Sequence, residues 1–259
     1  MEPTVATLAL TVPKALILIG VGVAAGVFNG VAGGGTLLTF PTLLALGVPA
    51  LTANVTSAVG VLPSYLGGIA GFRVEIAGQR SAIRRLLPAS LLGGALGAVA
   101  LLTTPASSFR EIVPWLVAFA TLLFALQPLL LHALRHVAHD HPTRRLFLQA
   151  GTGLTALYGG YFGAGMGIML LAVFGLALAA TMAELGGLRS VISILVNGLA
   201  AAIFIFVGHI DWAAAACIAT GTLLGGWAGA SAARRLPVPA LRAVVVIIGT
   251  ATTITLLVR

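Results

Sequence analysis

The sequence predicts an all-α polytopic membrane protein arranged as two inverted five-segment repeats. Three observations lead there. First, 59% of its 259 residues are hydrophobic and only 8% are charged, with a mean hydropathy of +1.11; an ordinary soluble domain carries roughly 25% charged residues. Second, the apolar residues come in runs near or above the ~18–20 residues that span a bilayer, separated by short loops. Third, the runs do not alternate apolar and polar residues as barrel strands do, which leaves helices as the structure that satisfies its own backbone in lipid.

The runs repeat in order: long, short, long, long, long, twice. The first half reads Lys14 to Gly30, Thr36 to Leu46, Thr52 to Gly71, Leu86 to Leu102 and Ile112 to Leu131. The second reads Leu146 to Phe162, Ile168 to Ala180, Ala183 to Val207, Trp212 to Ala232 and Val238 to Val258. This divides the chain into a first repeat, 1–131, a polar linker, 132–145, and a second repeat, 146–259. About eight segments read as full transmembrane helices. The two short ones read as half-helices or re-entrant pieces.

Orientation follows from the excess of basic residues on the cytoplasmic side of membrane proteins. Placing the Arg73–Arg85 loop inside also places the linker and the Arg234–Arg242 loop inside, which puts ten of the 14 basic residues in the cytoplasm. Lys14, Arg110 and Arg259 fall outside, and Arg189 falls within a span. Both termini are then extracytoplasmic. The net charge of +8 reflects this bias, because the basic residues sit in scattered loops and form no nucleic-acid patch. The N-terminus, Met1 to Pro13, lacks the basic stretch of a cleaved signal peptide. Arginine outnumbers the single lysine, Lys14, and Ala and Gly abound, which points to a GC-rich bacterial source and a cytoplasmic (inner) membrane. The lone Cys217 has no partner for an intrachain disulfide.

Four features could carry function. Two glycine-rich breaks, Gly33-Gly34-Gly35 and Gly163-Ala164-Gly165-Met166-Gly167, lie about 130 residues apart, each before a short run. A helix of about 13 residues rises only ~20 Å, so these runs should begin near mid-membrane. Their N-termini then offer N–H groups and the positive dipole end to an anion. Paired Gly-interrupted segments mark transporter sites, although the same glycines could serve close helix packing alone. Arg189 is the second feature, with Ser193 and Asn197 on the same helix face. A guanidinium fork matches an oxyanion; the alternative is an arginine reaching to the interface, with Glu184 as a loose partner.

The third is Asn54, Thr56 and Ser57, whose polar groups could donate to a ligand. Thr52 or Asn54 could instead cap the span. The fourth is His209 and Asp211 before Trp212: the pair could relay a proton, and the simpler reading is a loop with Asp211 as an N-cap and Trp212 as an interfacial anchor. The histidines His132, His136, His139 and His141 read as part of a solvated linker and not as a metal site. No HExxH, GxSxG, P-loop or Cys/His pairing is present, so neither an enzyme nor an ATP-driven pump is expected, and no catalytic residue, metal or cofactor is assigned.

At these residues the sequence resembles a known family. Gly30-Val31-Ala32-Gly33-Gly34-Gly35 with Pro41 downstream, then Ala53-Asn54-Val55-Thr56-Ser57, is similar to the first-half signature of the TauE/SafE family of sulfite and organosulfonate exporters. The second break, followed by Gly208-His209-Ile210-Asp211-Trp212, resembles the family's second repeat. The second break departs from the pattern, having no glycine triplet and no following proline. The resemblance implies secondary transport, usually outward, of a small anion such as sulfite, a sulfonate or a carboxylate. Gly33, Gly34, Gly35, Asn54, Thr56, Ser57, Gly163, Gly165, Gly167, Arg189, Ser193 and Asn197 are the candidate substrate-binding residues. The sequence is compatible with proton or ion coupling and with a homodimer in the lipid bilayer. Two other readings compete: an anion channel or non-transporting membrane subunit, and a transporter of a cation or neutral solute that would rely on Glu184, Asp211 or Glu111.

Overall fold

A computed structural model of the chain describes residues 8–31, 33–134, 144–232 and 238–258. Most of the linker, with Arg135, His136, His139, Asp140 and His141, lies outside the described residues, as do Arg234, Arg235 and Arg259. Among the described residues there are twelve helical segments and no strand. In order they are α1 (Val12–Val31), α2 (Thr36–Ala45), α3 (Ala50–Gly60), α4 (Ser64–Gly71), α5 (Arg73–Ala77), α6 (Arg80–Thr103), α7 (Ala106–Leu134), α8 (Arg144–Tyr161), α9 (Met166–Ala177), α10 (Met182–Val207), α11 (Trp212–Ala232) and α12 (Val238–Val258).

Four described stretches are long and apolar enough to cross a membrane: Val12–Gly30, Arg80–Thr103, Ala106–Leu130 and Met182–Val207. Thr36–Ala45 and Met166–Ala177 are shorter apolar helices, as the sequence predicts for the two half-length segments. The second folds back along α8. Arg144 Nε, in the first turn of α8, donates to Ala177 O at the end of α9. The first folds back as well, since Gly35 lies beside Ala25 O of α1.

Two expectations are corrected. The span Thr52–Gly71 is not one helix. Pro63 lacks an N–H and disfavours helical geometry at Leu62, so the backbone switches to short-range bonds, Ser64 N–H to Val61 O and Tyr65 N–H to Leu62 O. The chain resumes as α4 with Pro63 at its N-cap. The counterpart in the second half, α10, has no proline and runs 26 residues without a break. The basic loops are also shorter than expected. Arg80, Arg84 and Arg85 open α6, Arg144 and Arg145 open α8, and Arg242 lies on α12.

Glycine lets the long helices approach closely. Gly22 of α1 faces Ile218 and Gly221 of α11, and Gly26 faces Thr222 and Gly226, so these two helices run parallel. Gly93 of α6 faces Gly153 and Ala156 of α8, while Gly97 faces Leu157 and Tyr161, again parallel. Small residues spaced by four put backbones in contact where lipid supplies no hydrophobic drive for association. α7 and α12 pack antiparallel: Arg242 Nε donates to Gln127 Oε1 at one end, and Arg110 and Leu256 line one cavity at the other.

A methyl at Gly225 would overlap the Val23 carbonyl, whereas one at Gly198, in mid-α10, would meet nothing within 4 Å. Gly225→Ala is therefore expected to lower stability by about 1–3 kcal/mol, the usual cost of overpacking. Gly198→Ala is expected to be neutral or stabilising, since alanine has the higher helix propensity. Thermal unfolding of the two purified variants in one detergent checks this; equal midpoints would refute the packing assignment.

Candidate functional site

The two breaks share one backbone solution. In the first, Gly33 N–H donates to Phe28 O at 3.2 Å; in the second, Gly163 N–H donates to Tyr158 O at 3.3 Å. Gly33 and Gly163 adopt φ of 75° and 82°, and Gly165, the N-cap of α9, adopts 81°. An L side chain is disfavoured in that left-handed region, so these glycines have a local backbone reason to be there.

The breaks also meet. The point where a Gly33 side chain would sit is 3.0 Å from Gly167 Cα and 3.1 Å from Arg189 Nη1. Glycine thus lets the opening of α9 and a guanidinium both come close to the first break. Gly34 packs under the Phe124 ring, and Phe124 in turn stacks at 5.9 Å from Phe28. Gly34, Gly35, Gly163, Gly165 and Gly167 are all buried.

Arg189 is only 3% exposed. It does not reach for an interface, and Glu184 is not its partner. Glu184 instead closes a capping box with Thr181 at the start of α10. Arg189 Nη2 donates to Asn29 O and Gly30 O, both at 3.4 Å, the long end of the hydrogen-bond range. These carbonyls lie at the C-terminal end of α1, where the helix dipole favours a cation. Nη1 is buried with no hydrogen-bond partner, and no carboxylate among the described residues pairs with the guanidinium. A buried cation left in this condition is costly. It becomes favourable when an anion supplies the acceptor.

Asn54 is the mirror of this arrangement. It is 1% exposed and donates from Nδ2 to Tyr161 O, at the C-terminal end of α8, at 3.0 Å. Its Oδ1 is buried without a partner. Each half therefore sends a polar side chain from its third segment to the end of the other half's first helix, just ahead of that half's break.

Thr56, Ser57 and Asn197 have protein partners. Ser57 shares a 2.5 Å hydroxyl pair with Thr39 of α2. Thr56 Oγ1 accepts the Asp211 N–H at 3.0 Å. Asn197 donates from Nδ2 to Ser193 O at 2.9 Å, while its Oδ1 faces Gly163. Ser193 and Asn197 are buried on the face that carries Arg189. Asp211 is the N-cap of α11, accepting Ala214 N–H at 3.0 Å. His209 is exposed.

Sequence reasoning missed Asn29. Its Oδ1 accepts Gly35 N–H at 2.7 Å, and its Nδ2 donates to Ser64 Oγ at 2.8 Å. It ties the end of α1 to the start of α2 and to the kink after Pro63. An asparagine closing an apolar run directly before a glycine break was the available signal. Tyr65, beside the kink, is buried.

With this geometry in view, comparison with known proteins is decisive about family. The family model described as sulfite exporter TauE/SafE matches residues 18–256. The chain belongs to the TauE/SafE family. Its relatives include a "Probable membrane transporter protein" of Haemophilus influenzae, 30% identical over 223 residues that cover 83% of each chain. "Probable membrane transporter protein ORF9" of a Sinorhizobium species is 27% identical over 242 residues, covering 90% of this chain and 88% of that one. "Probable membrane transporter protein YfcA" of Escherichia coli K12 is 29% identical, covering 82% of this chain and 78% of that one. No solved structure matches the chain. This TauE/SafE member is a multi-pass membrane protein of a transporter family, not one of enzymes.

Proposed function

We propose that this TauE/SafE protein is a secondary transporter that exports a small anion such as sulfite or an organosulfonate by alternating access between two inverted repeats. The observation that carries the proposal is Arg189: a buried guanidinium with an unpartnered Nη1, aimed at the meeting point of two glycine breaks. The N-terminal end of α9 adds a partial positive charge there. An oxyanion seated at Gly33, Gly167 and Arg189 would receive the missing acceptor role. Asn54, whose Nδ2 keeps a second N–H beside the one given to Tyr161 O, would contribute from the second break.

The packing supports two related halves. α1 lies along α11 as α8 lies along α6, α7 meets α12, and Arg189 and Asn54 make exchanged contacts. The proposed repeats are 1–131 and 146–259, with about eight full spans and two short half-helices or re-entrant segments. The arginine-rich helix ends would face the cytoplasm and both termini the outside. Because the breaks are buried, ligand entry requires the halves to rock, and each half's hairpin would open in turn. Coupling to a proton or another ion, and a homodimeric state, fit this scheme.

Purified protein in proteoliposomes is expected to move labelled sulfite or a sulfonate with saturation, and the same anion should raise the thermal midpoint, as any ligand of the native state does. Flux that rises without saturation would mark a channel. Absence of flux and of any midpoint shift across sulfite, sulfate, sulfoacetate, taurine and carboxylates would sink the anion reading.

A further inference from the structure

A basic cavity lies away from the breaks. It is about 370 Å³ and opens where the first turns of α6 and α8 meet the end of α9. Arg85, Arg144, Arg145 and Gln149 line its polar side, and Leu148 and Leu178 its apolar side. No carboxylate lines it among the described residues. Arg85 and Arg145 bring two exposed guanidiniums to one cavity, where like charges repel one another, so the arrangement gains from a bound anion. Arg144 already bridges to Ala177 O, at the negative end of α9.

The surroundings say what kind of anion. Beside the cavity, Leu146 is 72% exposed, with Phe147 and Leu176 also exposed. These side chains belong to the ends of membrane helices, and an apolar surface next to a cationic cleft suits a molecule that is anionic at one end and hydrocarbon at the other. Basic pockets between transmembrane helices bind the phosphates of anionic lipids on this principle.

We infer that the cleft between α6, α8 and α9 binds the headgroup phosphate of an anionic phospholipid, whose acyl chains lie over Leu146, Phe147 and Leu176. The lipid bridges the start of α8 to the end of α9. It therefore clamps the open end of the hairpin whose tip carries Gly163, Gly165 and Gly167. The site does not depend on which solute the protein carries.

The test uses the full-length protein in nanodiscs of phosphatidylcholine doped with phosphatidylglycerol. Binding is read by native mass spectrometry of retained lipid and by the thermal midpoint. Phosphatidylglycerol is expected to raise the midpoint over pure phosphatidylcholine. The double variant Arg85→Gln/Arg145→Gln, which changes two exposed side chains, should bind it about thirtyfold more weakly, the effect of losing two interfacial cations. The control Arg80→Gln/Arg84→Gln removes two exposed arginines from the same helix end but outside the cavity, and should retain wild-type binding. Equal loss in both double variants would show diffuse attraction to a charged surface and overturn the site. Equal midpoints in the two lipid compositions would overturn it as well. Stabilisation reproduced by inorganic phosphate alone would make the cleft a site for soluble anions and refute the lipid assignment.

Discussion

Arg189→Ala is expected to abolish anion transport while the helix bundle stays assembled. The guanidinium is the one cation at the meeting of the two breaks among the described residues, and its Nη1 has no protein partner to lose. Its two protein bonds, to Asn29 O and Gly30 O, are long at 3.4 Å, and removing the side chain also removes the desolvation cost of a buried charge. The stability change should therefore be small. The binding change should not be. A hydrogen bond to a charged group contributes about 1.5–3 kcal/mol, which corresponds to roughly 10- to 150-fold in affinity. Arg189→Lys keeps the charge and loses the planar fork, so it should retain partial binding. Saturable uptake into proteoliposomes, together with the midpoint shift on adding sulfite, reads both effects. Undiminished uptake by the alanine variant would remove Arg189 from the mechanism.

Gly33→Ala should have the next largest effect, for two separable reasons. Its φ of 75° costs an L residue roughly 1–2 kcal/mol. The new methyl would also stand 3.0 Å from Gly167 Cα and 3.1 Å from Arg189 Nη1, in the space assigned to the ligand. Affinity for the transported anion should fall at least about tenfold, the effect of roughly 1.4 kcal/mol. Two comparisons separate the causes. Gly163→Ala carries the same backbone strain, at φ 82°, but its methyl would face Asn197 Oδ1 at 3.4 Å and not Arg189. Gly30→Ala meets nothing within 4 Å and carries no positive φ. A midpoint lowered alike in Gly33→Ala and Gly163→Ala, with affinity lost only in the first, is the expected pattern. Wild-type affinity in Gly33→Ala would mean that the ligand does not sit there.

Glycine serves two purposes in this chain. Gly22, Gly26, Gly93, Gly97, Gly221 and Gly225 serve helix packing. Gly33, Gly163 and Gly165 answer to backbone geometry. Both uses occur in one chain because close approach and positive φ are separate demands that only glycine meets. Composition alone does not distinguish them. The polar segment at Asn54, Thr56 and Ser57 divides similarly: Asn54 keeps an unpartnered oxygen, while Thr56 and Ser57 hold Asp211 and Thr39.

Hydropathy and local backbone rules were sufficient for the membrane class, the two short apolar segments and the two glycine breaks. Each depends on residues within a turn or two of one another, so each leaves a local trace in the chain. The break at Pro63 was equally local and could have been read from the proline. What only the tertiary structure decided lies across the chain. Arg189 turns inward because the carbonyl end of α1, 159 and 160 residues away, receives it. Asn54 reaches Tyr161 across 107 positions. Asn29 gains its role only when α2 folds back and α4 arrives. The direction of a buried polar side chain is set by which distant backbone groups need a partner, and that need exists only once the helices have packed.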